Sequence, residues 1–339
     1  MTDIMNIGLV GVGSLSQIAH IPVLEAEPRA RIVGLCDINS SKAKRLAETH
    51  GVPYSASSLE ELLDKTTCDA VIIATPTRYH FPLAQEALER DVSVFLEMPP
   101  LMNVREAEIL RDVAHESGRT ISMIRHRRYR ADTRTLKTII EGGELGELQY
   151  ILLRYHFPRG WFHDSWRGQV SLSGGGILMD QGIQILDLGL FLAGEEDVSS
   201  VSSAIFSIQG GNELDEAALI LFRLKNGVVI AMELGPWLGG DQASGLKVQV
   251  FGSGGMAKLP GLEIQKELYG NPVRVLPRVT TPERDLFQRS YKDTLRILIT
   301  GVKERPDTLI KDPEEIVSRM KIAEEMYRSA REGTERRLM

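Results

Sequence analysis

Ile4-Met5-Asn6-Ile7-Gly8-Leu9-Val10-Gly11-Val12-Gly13-Ser14-Leu15-Ser16 is the stretch on which the fold turns. The apolar run from Ile4 to Val10 reads as a strand, and Gly11 to Ser16 as a glycine turn opening a helix. In that role Gly11 permits the tight turn and Gly13 lets the backbone approach a pyrophosphate. The N–H groups and positive dipole at the helix N-terminus, around Val12, Ser14 and Leu15, then hold the anion. Alone the motif is weak, and a plain glycine turn explains it nearly as well. Asp37, at the end of the second apolar run, strengthens it. An acid there accepts hydrogen bonds from ribose hydroxyls and repels a 2′-phosphate, which favours NAD over NADP. Its plainer reading is a turn residue closing a strand.

The pattern repeats outward from this loop. Further apolar runs, Ile32 to Cys36, Ala70 to Ala74, Val92 to Leu96 and Thr120 to Ile124, are continuous rather than alternating, as strands covered on both faces are. Helical spacing fills the intervals Ser41 to His50, Ser58 to Lys65, His80 to Arg90 and Val104 to Ser117, with Gly118 as a C-cap. Strands alternating with helices imply βαβ units and a parallel, doubly wound sheet. After about residue 125 the runs lengthen and alternate: Leu148 to His156, Val198 to Ser207, Asp215 to Leu224, Val228 to Leu234 and Leu246 to Phe251. Asn226-Gly227 predicts a two-residue hairpin. Asp312-Pro313-Glu314-Glu315 predicts an N-cap, a proline at N1 and a glutamate at N3. Ile316, Met320, Ala323, Tyr327 and Ala330 then form an apolar stripe. The division predicted is a dinucleotide-binding domain over 1–125 and an α+β domain over 126–339.

A chain of 339 residues suits two domains. Its 42% hydrophobic and 25% charged residues are those of a globular protein, and a net charge of −6 offers nothing to nucleic acid or an anionic membrane. The N-terminal residues lack the basic region of a signal peptide. No run of about 18 apolar residues is apparent, so no membrane span is expected. Cys36 and Cys68 read as two reduced, packed thiols of a cytoplasmic protein.

Two further segments carry chemistry. Glu97-Met98-Pro99-Pro100 follows the fifth strand. Gly174-Gly175-Gly176-Ile177-Leu178-Met179-Asp180-Gln181-Gly182-Ile183-Gln184-Ile185-Leu186-Asp187 combines a glycine run with polar residues at i, i+4 and i+7, one face of a helix. With the glycine turn, these segments resemble the Gfo/Idh/MocA family of dinucleotide-dependent oxidoreductases. Its motifs usually read Glu-Lys-Pro and Gly-Gly-Gly-x-x-x-Asp-x-Gly-x-His-x-x-Asp, and it tolerates a small residue such as Ser16 as the third glycine. Here methionine stands for the lysine and glutamine for the histidine. Met98 holds no exchangeable proton and Gln184 does not titrate. Of the family's proton-handling trio only Asp180 remains, with Asp187 read as structural.

The resemblance implies an α/β fold: a Rossmann doubly wound sheet joined to an α+β domain with a large, mostly antiparallel open sheet. It implies hydride transfer between NAD and a sugar-like, cyclitol-like or other small cyclic hydroxy or keto substrate. It assigns the cofactor to Gly11, Val12, Gly13, Ser14, Leu15, Asp37, Ala74, Thr75, Pro76, Thr77, His80, Glu97, Trp166 and Arg167. His80 also reads as a helix-capping residue. Catalysis falls to Asp180, Gln184, Glu97 and Met98, with Met98 also read as an apolar wall. The substrate would meet Arg127, Tyr129, Trp161, Asp180 and Gln184. The arginines around Arg125, Arg127, Arg128 and Arg130 are read equally as partners of acids such as Glu97 or Asp132, and Trp161 and Trp166 as core. His20 is read as packed or at the surface. His156 and His163 are too isolated for a metal site, and no metal is expected. Self-association as a homodimer or homotetramer through the C-terminal sheet is implied. The rival readings are an NAD-binding sensor without turnover and redox-neutral chemistry using NAD transiently.

Overall fold

The structure, a computed structural model, describes residues 4–338 except 159, 161, 163–164, 195–196, 209–213, 238–244 and 310–311. The chain forms two compact units: Met1–His126 with Phe287–Met320, and Arg127–Leu286 with Lys321–Met339. This corrects the predicted 126–339 domain. Tyr291, Leu295, Leu298 and Ile299 are buried in one core with Met5, Ile7, Leu9, Leu35 and Phe95, so their segment belongs with the first unit. Local periodicity cannot reveal this, because an apolar helix face does not state which core it joins.

The first unit holds six parallel strands: β1 (Met5–Val10), β2 (Ala30–Cys36), β3 (Ser55–Ala56), β4 (Ala70–Ile73), β5 (Ser93–Leu96) and β6 (Ile121–Met123). Their order β3-β2-β1-β4-β5-β6 is that of a doubly wound dinucleotide-binding sheet. β4, β5 and β6 are buried at every residue, the condition that makes them continuously apolar. The connecting helices begin on side-chain caps. Asn39 accepts from Lys42 N before α1 (Ser40–His50), Ser58 from Glu61 N before α2 (Leu59–Lys65), and Asn103 from Glu106 N before α3 (Val104–Ser117). Each such cap is worth about 1 kcal/mol. Gly118, at φ +64°, ends α3 in the left-handed conformation expected.

The second unit is built on a nine-stranded sheet. Its strands are β7 (Leu148–Pro158), β8 (Val198–Phe206), β9 (Ala217–Leu224), β10 (Val229–Trp237), β11 (Gly245–Gly252), β12 (Gly255–Leu259), β13 (Glu263–Leu268), β14 (Asn271–Val275) and β15 (Arg336–Arg337). They are ordered β14-β13-β12-β11-β7-β10-β9-β8-β15, and every pairing is antiparallel except β7 with β10. β13 and β14 form a hairpin that none of the apolar runs read from the sequence covers. The hairpin at Asn226-Gly227 has three loop residues, not two: Leu224 N bonds Val228 O at 2.9 Å, and Gly227 sits at φ +89°. A turn followed by a left-handed glycine is the usual three-residue solution.

A helix Ile183–Ala193 crosses one face of this sheet. It approaches closely because Gly189 has no side chain: a Cβ there would lie 2.8 Å from Leu153 Cδ1 and 3.1 Å from Ile230 Cδ1. Residues Val170–Ala193 together are long and apolar enough to cross a membrane by length and composition, at odds with the expectation of no such run. Most of the stretch is buried inside the unit, as a core helix is. The other face of the sheet leaves Leu219 and Leu221 exposed between buried Ala218, Ile220 and Phe222.

Candidate active site

In the first unit the ends of β1 and β4 meet at the point where strand order reverses. Gly11, at φ +87°, is so close to the next strand that a Cβ would lie 2.8 Å from the Ala74 carbonyl. Only glycine satisfies both conditions. Gly13 is the opposite case, with nothing within 4 Å of its Cβ position. That open space lies at the start of a helix over residues 14–25, which includes a π-turn at Ser16–His20. Thr75 and Thr77 carry buried hydroxyls with no hydrogen-bond partner among the described residues. An open glycine cradle beside a helix N-terminus, with unsatisfied hydroxyls nearby, fits a dinucleotide pyrophosphate.

Asp37 is already engaged: it accepts from Val12 N at 3.0 Å and Asn39 N at 2.9 Å, and pairs with Lys42 Nζ at 2.7 Å. A carboxylate offers about four acceptor positions, so one remains for a ribose hydroxyl while Lys42 stays in place. His80 is buried with Nδ1 3.0 Å from Pro100 O and Nε2 2.9 Å from Thr75 O. It therefore ties the segment after β4 to the segment after β5 rather than capping its helix. Burial holds the ring below the usual histidine range.

Glu97 Oε1 lies 2.8 Å from His20 Nε2, and both side chains are buried. His20 meets Tyr291 edge-on at 5.3 Å, and Tyr291 stacks on His126 at 4.6 Å. Of the two readings of His20, the packed one is correct. Met98 is 9% exposed, and its N–H donates to Glu97 Oε2 at 3.3 Å. Arg125 bonds Asp312 Oδ1 at 2.8 Å and also Glu315. The predicted N-cap Asp312 thus lies inside its helix, Asp312–Glu332, and serves an arginine instead.

In the second unit a π-turn at Leu178–Gly182 precedes the helix Ile183–Ala193. It carries Asp180, whose Oδ1 accepts from Arg167 Nε at 3.1 Å and Oδ2 from Gln181 Nε2 at 3.1 Å. Arg167 lies over the Trp166 ring, 4.6 Å from its centre. Arg127 bonds Gln181 Oε1 at 2.8 Å and stands over the ring of Tyr155, 5.5 Å from its centre. Gln184 donates to Asp180 O at 3.0 Å. Asp187 forms a buried two-bond pair with Arg128, both contacts at 2.6 Å, as its structural reading expected.

Arg127, Arg167, Asp180 and Gln184 are therefore gathered in this unit, while Tyr129 instead meets Arg134, 5.8 Å from its ring centre. Trp161 lies outside the described residues. Arg130 pairs with Asp132, as one reading proposed, and Glu97 meets His20 rather than an arginine. Besides Gln181, two residues absent from the sequence-derived set belong here. Tyr155 is one; the alternation Ile151, Leu153, Tyr155, Phe157 along β7 was the signal that it faces inward. Burial pushes its phenol above the usual tyrosine range, with Arg127 opposing and Asp180 adding to the rise.

Asp215 is the other. It accepts from Gly176 N and Leu178 N, both at 2.7 Å, and from Tyr327 Oη at 2.9 Å. Gly175 and Gly176 are required by this clamp: their Cβ atoms would lie 2.2 Å from Tyr327 Oη and 1.9 Å from Asp215 O.

Residues 5–125 match a family described as oxidoreductases with an NAD-binding Rossmann fold, and residues 133–258 match the GFO/IDH/MocA C-terminal domain. The chain is 28% identical over 313 residues to an uncharacterized oxidoreductase, YdgJ, of Escherichia coli (strain K12), spanning 92% of this chain and 86% of that one. It is 24% identical over 348 residues to D-glucoside 3-dehydrogenase of the same strain, spanning 97% and 96%. The solved structure of aldose-aldose oxidoreductase from Caulobacter crescentus, complexed with glycerol, superposes with a TM-score of 0.84 at 20% identity, covering 99% of this chain and all of that one. At that identity the likeness concerns the fold.

Proposed function

Because this chain belongs to the Gfo/Idh/MocA family of NAD-binding oxidoreductases, we propose that it moves a hydride between NAD(H) and a small sugar-like or cyclitol-like substrate. The observation that carries the substrate class is the polar cluster Arg127, Tyr155, Arg167, Asp180 and Gln181. A ring bearing several hydroxyls needs such a set of donors and acceptors. The similarity to a D-glucoside dehydrogenase supports the same class. The relatives described above are oxidoreductases, and a sensor without turnover draws no support from them.

Gly11, Val12, Gly13, Ser14 and Leu15 would hold the pyrophosphate of NAD and Asp37 a ribose, with Thr75 and Thr77 offering their hydroxyls; the nicotinamide would supply the hydride acceptor or donor. Ala74, Pro76 and His80 shape the wall of that pocket. Glu97, braced by His20, fixes the end of β5, and Met98 supplies an apolar surface. Asp180 assists the proton transfer at the substrate oxygen, and Gln184 orients the ring. Arg167 aligns Asp180, with Trp166 under its guanidinium. The exposed apolar face carrying Leu219 and Leu221 is assigned to self-association as a dimer or tetramer. Two cysteines without a disulfide fit a cytoplasmic setting.

The test compares the parent protein, Met98→Lys and Asp180→Asn for nicotinamide reduction by NAD⁺ with a panel of cyclitols, sugars and uronates. The parent is expected to turn over at least one of them. Asp180→Asn is expected to lower kcat by about 10²–10⁴-fold, the usual worth of an acid–base group. Unchanged turnover in Asp180→Asn would remove Asp180 from the mechanism. Turnover in Met98→Lys alone would mean that the natural chain has lost its catalysis.

A further inference from the structure

With methionine at 98 and glutamine at 184, Asp180 is left to move a proton while both of its oxygens are hydrogen-bonded. We propose that Tyr155 is the proton donor to the substrate oxygen in the reducing direction, with Arg127 as the charge that stabilises the phenolate left behind. This inference rests on the redox reading above and names the group that completes it.

Tyr155 reaches the cluster from a different element than the motif residues. On β7 it faces the same side as Ile151, Leu153 and Phe157, of which Ile151 and Leu153 are fully buried. Its partner in the parallel ladder is Leu234 on β10, and on the other side Leu246 on β11. A Cβ on Gly182 would lie 3.2 Å from Leu234 Cδ1, so the π-turn bearing Asp180 crosses this part of the sheet. Arg127 Cζ stands over the Tyr155 ring, 5.5 Å from its centre. Gln181 then links Arg127 to Asp180, and Arg167 closes the chain. Among the described residues the charged groups facing Tyr155 are therefore Arg127, Asp180 and Arg167, while the flanking strands present leucines.

The chemistry balances without a further reagent. The carbonyl carbon gains a hydride, with its two electrons, supplied by the reduced nicotinamide. The C=O π pair moves to oxygen, which bonds the proton leaving Tyr155 Oη. The phenolate regains a proton from solvent, and oxidation reverses each transfer. Burial and the Asp180 carboxylate keep the phenol protonated through neutral pH, which is the form that donates. Arg127 then favours the anion once the proton has gone.

Tyr155→Phe preserves the ring and its packing and removes only the hydroxyl. It is expected to lower kcat for keto-substrate reduction by about 10²-fold or more, with little change in KM, and to abolish the alkaline limb of the pH profile. A second readout needs no turnover: the parent-minus-variant phenol absorbance, followed through alkaline pH. It is expected to show a tyrosine titrating above the ordinary range, moved down by Asp180→Asn and further up by Arg127→Met. Turnover by the parent, with kcat and the alkaline limb retained in Tyr155→Phe, would overturn the assignment alone. A phenol indifferent to both neighbouring substitutions would overturn it too. An inactive parent that still binds NAD⁺ would overturn the redox reading itself, and the donor role with it.

Discussion

At the scale of single residues, Gly11 and Gly13 look alike in sequence and are opposites in physics. Gly11 answers to the protein, through its positive φ and the 2.8 Å approach to the Ala74 backbone. Gly13 answers to nothing in the protein, since the space around its Cβ position is open. Gly11→Ala is therefore expected to lose about 1–3 kcal/mol of stability through backbone strain and a clash. Gly13→Ala is expected to hold or gain stability, by up to about 1 kcal/mol, because alanine narrows the unfolded ensemble. Yet it should raise the Kd for NAD⁺ by about 10-fold or more, a cost of about 1.4 kcal/mol in binding. Thermal melts and calorimetric titration separate the two. A large stability loss in Gly13→Ala would mean that the open space is not reserved for a ligand. The pair was legible in sequence because spacing and chain context select it. Tyr155 was not, since its role depends on which strand lies beneath the Asp180 turn.

At the scale of elements, the decisive departures from expectation are two π-turns, Ser16–His20 and Leu178–Gly182. Each lies in a segment read as helix with ordinary spacing, and each carries a residue of the candidate site, His20 and Asp180. Such turns cluster at functional positions because the extra residue re-aims a side chain at the expense of a regular hydrogen bond. The second turn is held at its start by Asp215, three of whose hydrogen bonds join the glycine run, Leu178 and Tyr327. Asp215→Ala would strand two buried N–H groups, at about 1–3 kcal/mol each. A clear fall in the denaturant midpoint is expected, together with a loss of turnover from a misplaced Asp180. Tyr327→Phe removes one bond and is expected to cost about 1 kcal/mol. Equal midpoints for Asp215→Ala and the parent would show that the glycine run does not depend on this clamp.

For the whole molecule, the sheet of the second unit has one face covered by the helix Ile183–Ala193 and another on which Leu219 is 53% and Leu221 38% exposed. Neighbouring Arg154 and Glu233 form an ion pair at 3.2 Å, so the face mixes apolar rows with fixed charge. A second copy meeting it would bury the leucines in an isologous contact. Leu219→Lys combined with Leu221→Lys is expected to give a monomer by light scattering, because each buried leucine contributes about 1.5–3 kcal/mol and each lysine resists burial. An oligomer that persists in this double variant would place the contact elsewhere.

The sequence by itself determined the doubly wound sheet, the glycine turn with Asp37, the shift to alternating strands after residue 125, and the family. These depend on spacings of a few residues along one chain. Strands buried on both faces must be continuously apolar, and a close backbone approach requires glycine. Only the tertiary structure decided that 287–320 returns to the first unit and that Arg125 and Arg128 are consumed by Asp312, Glu315 and Asp187. It also decided that Asp215, Tyr327 and Tyr155 surround the motif helix. Those facts depend on contacts between segments far apart in the chain, and periodicity, which records only that a face is apolar or polar, does not say what that face will meet.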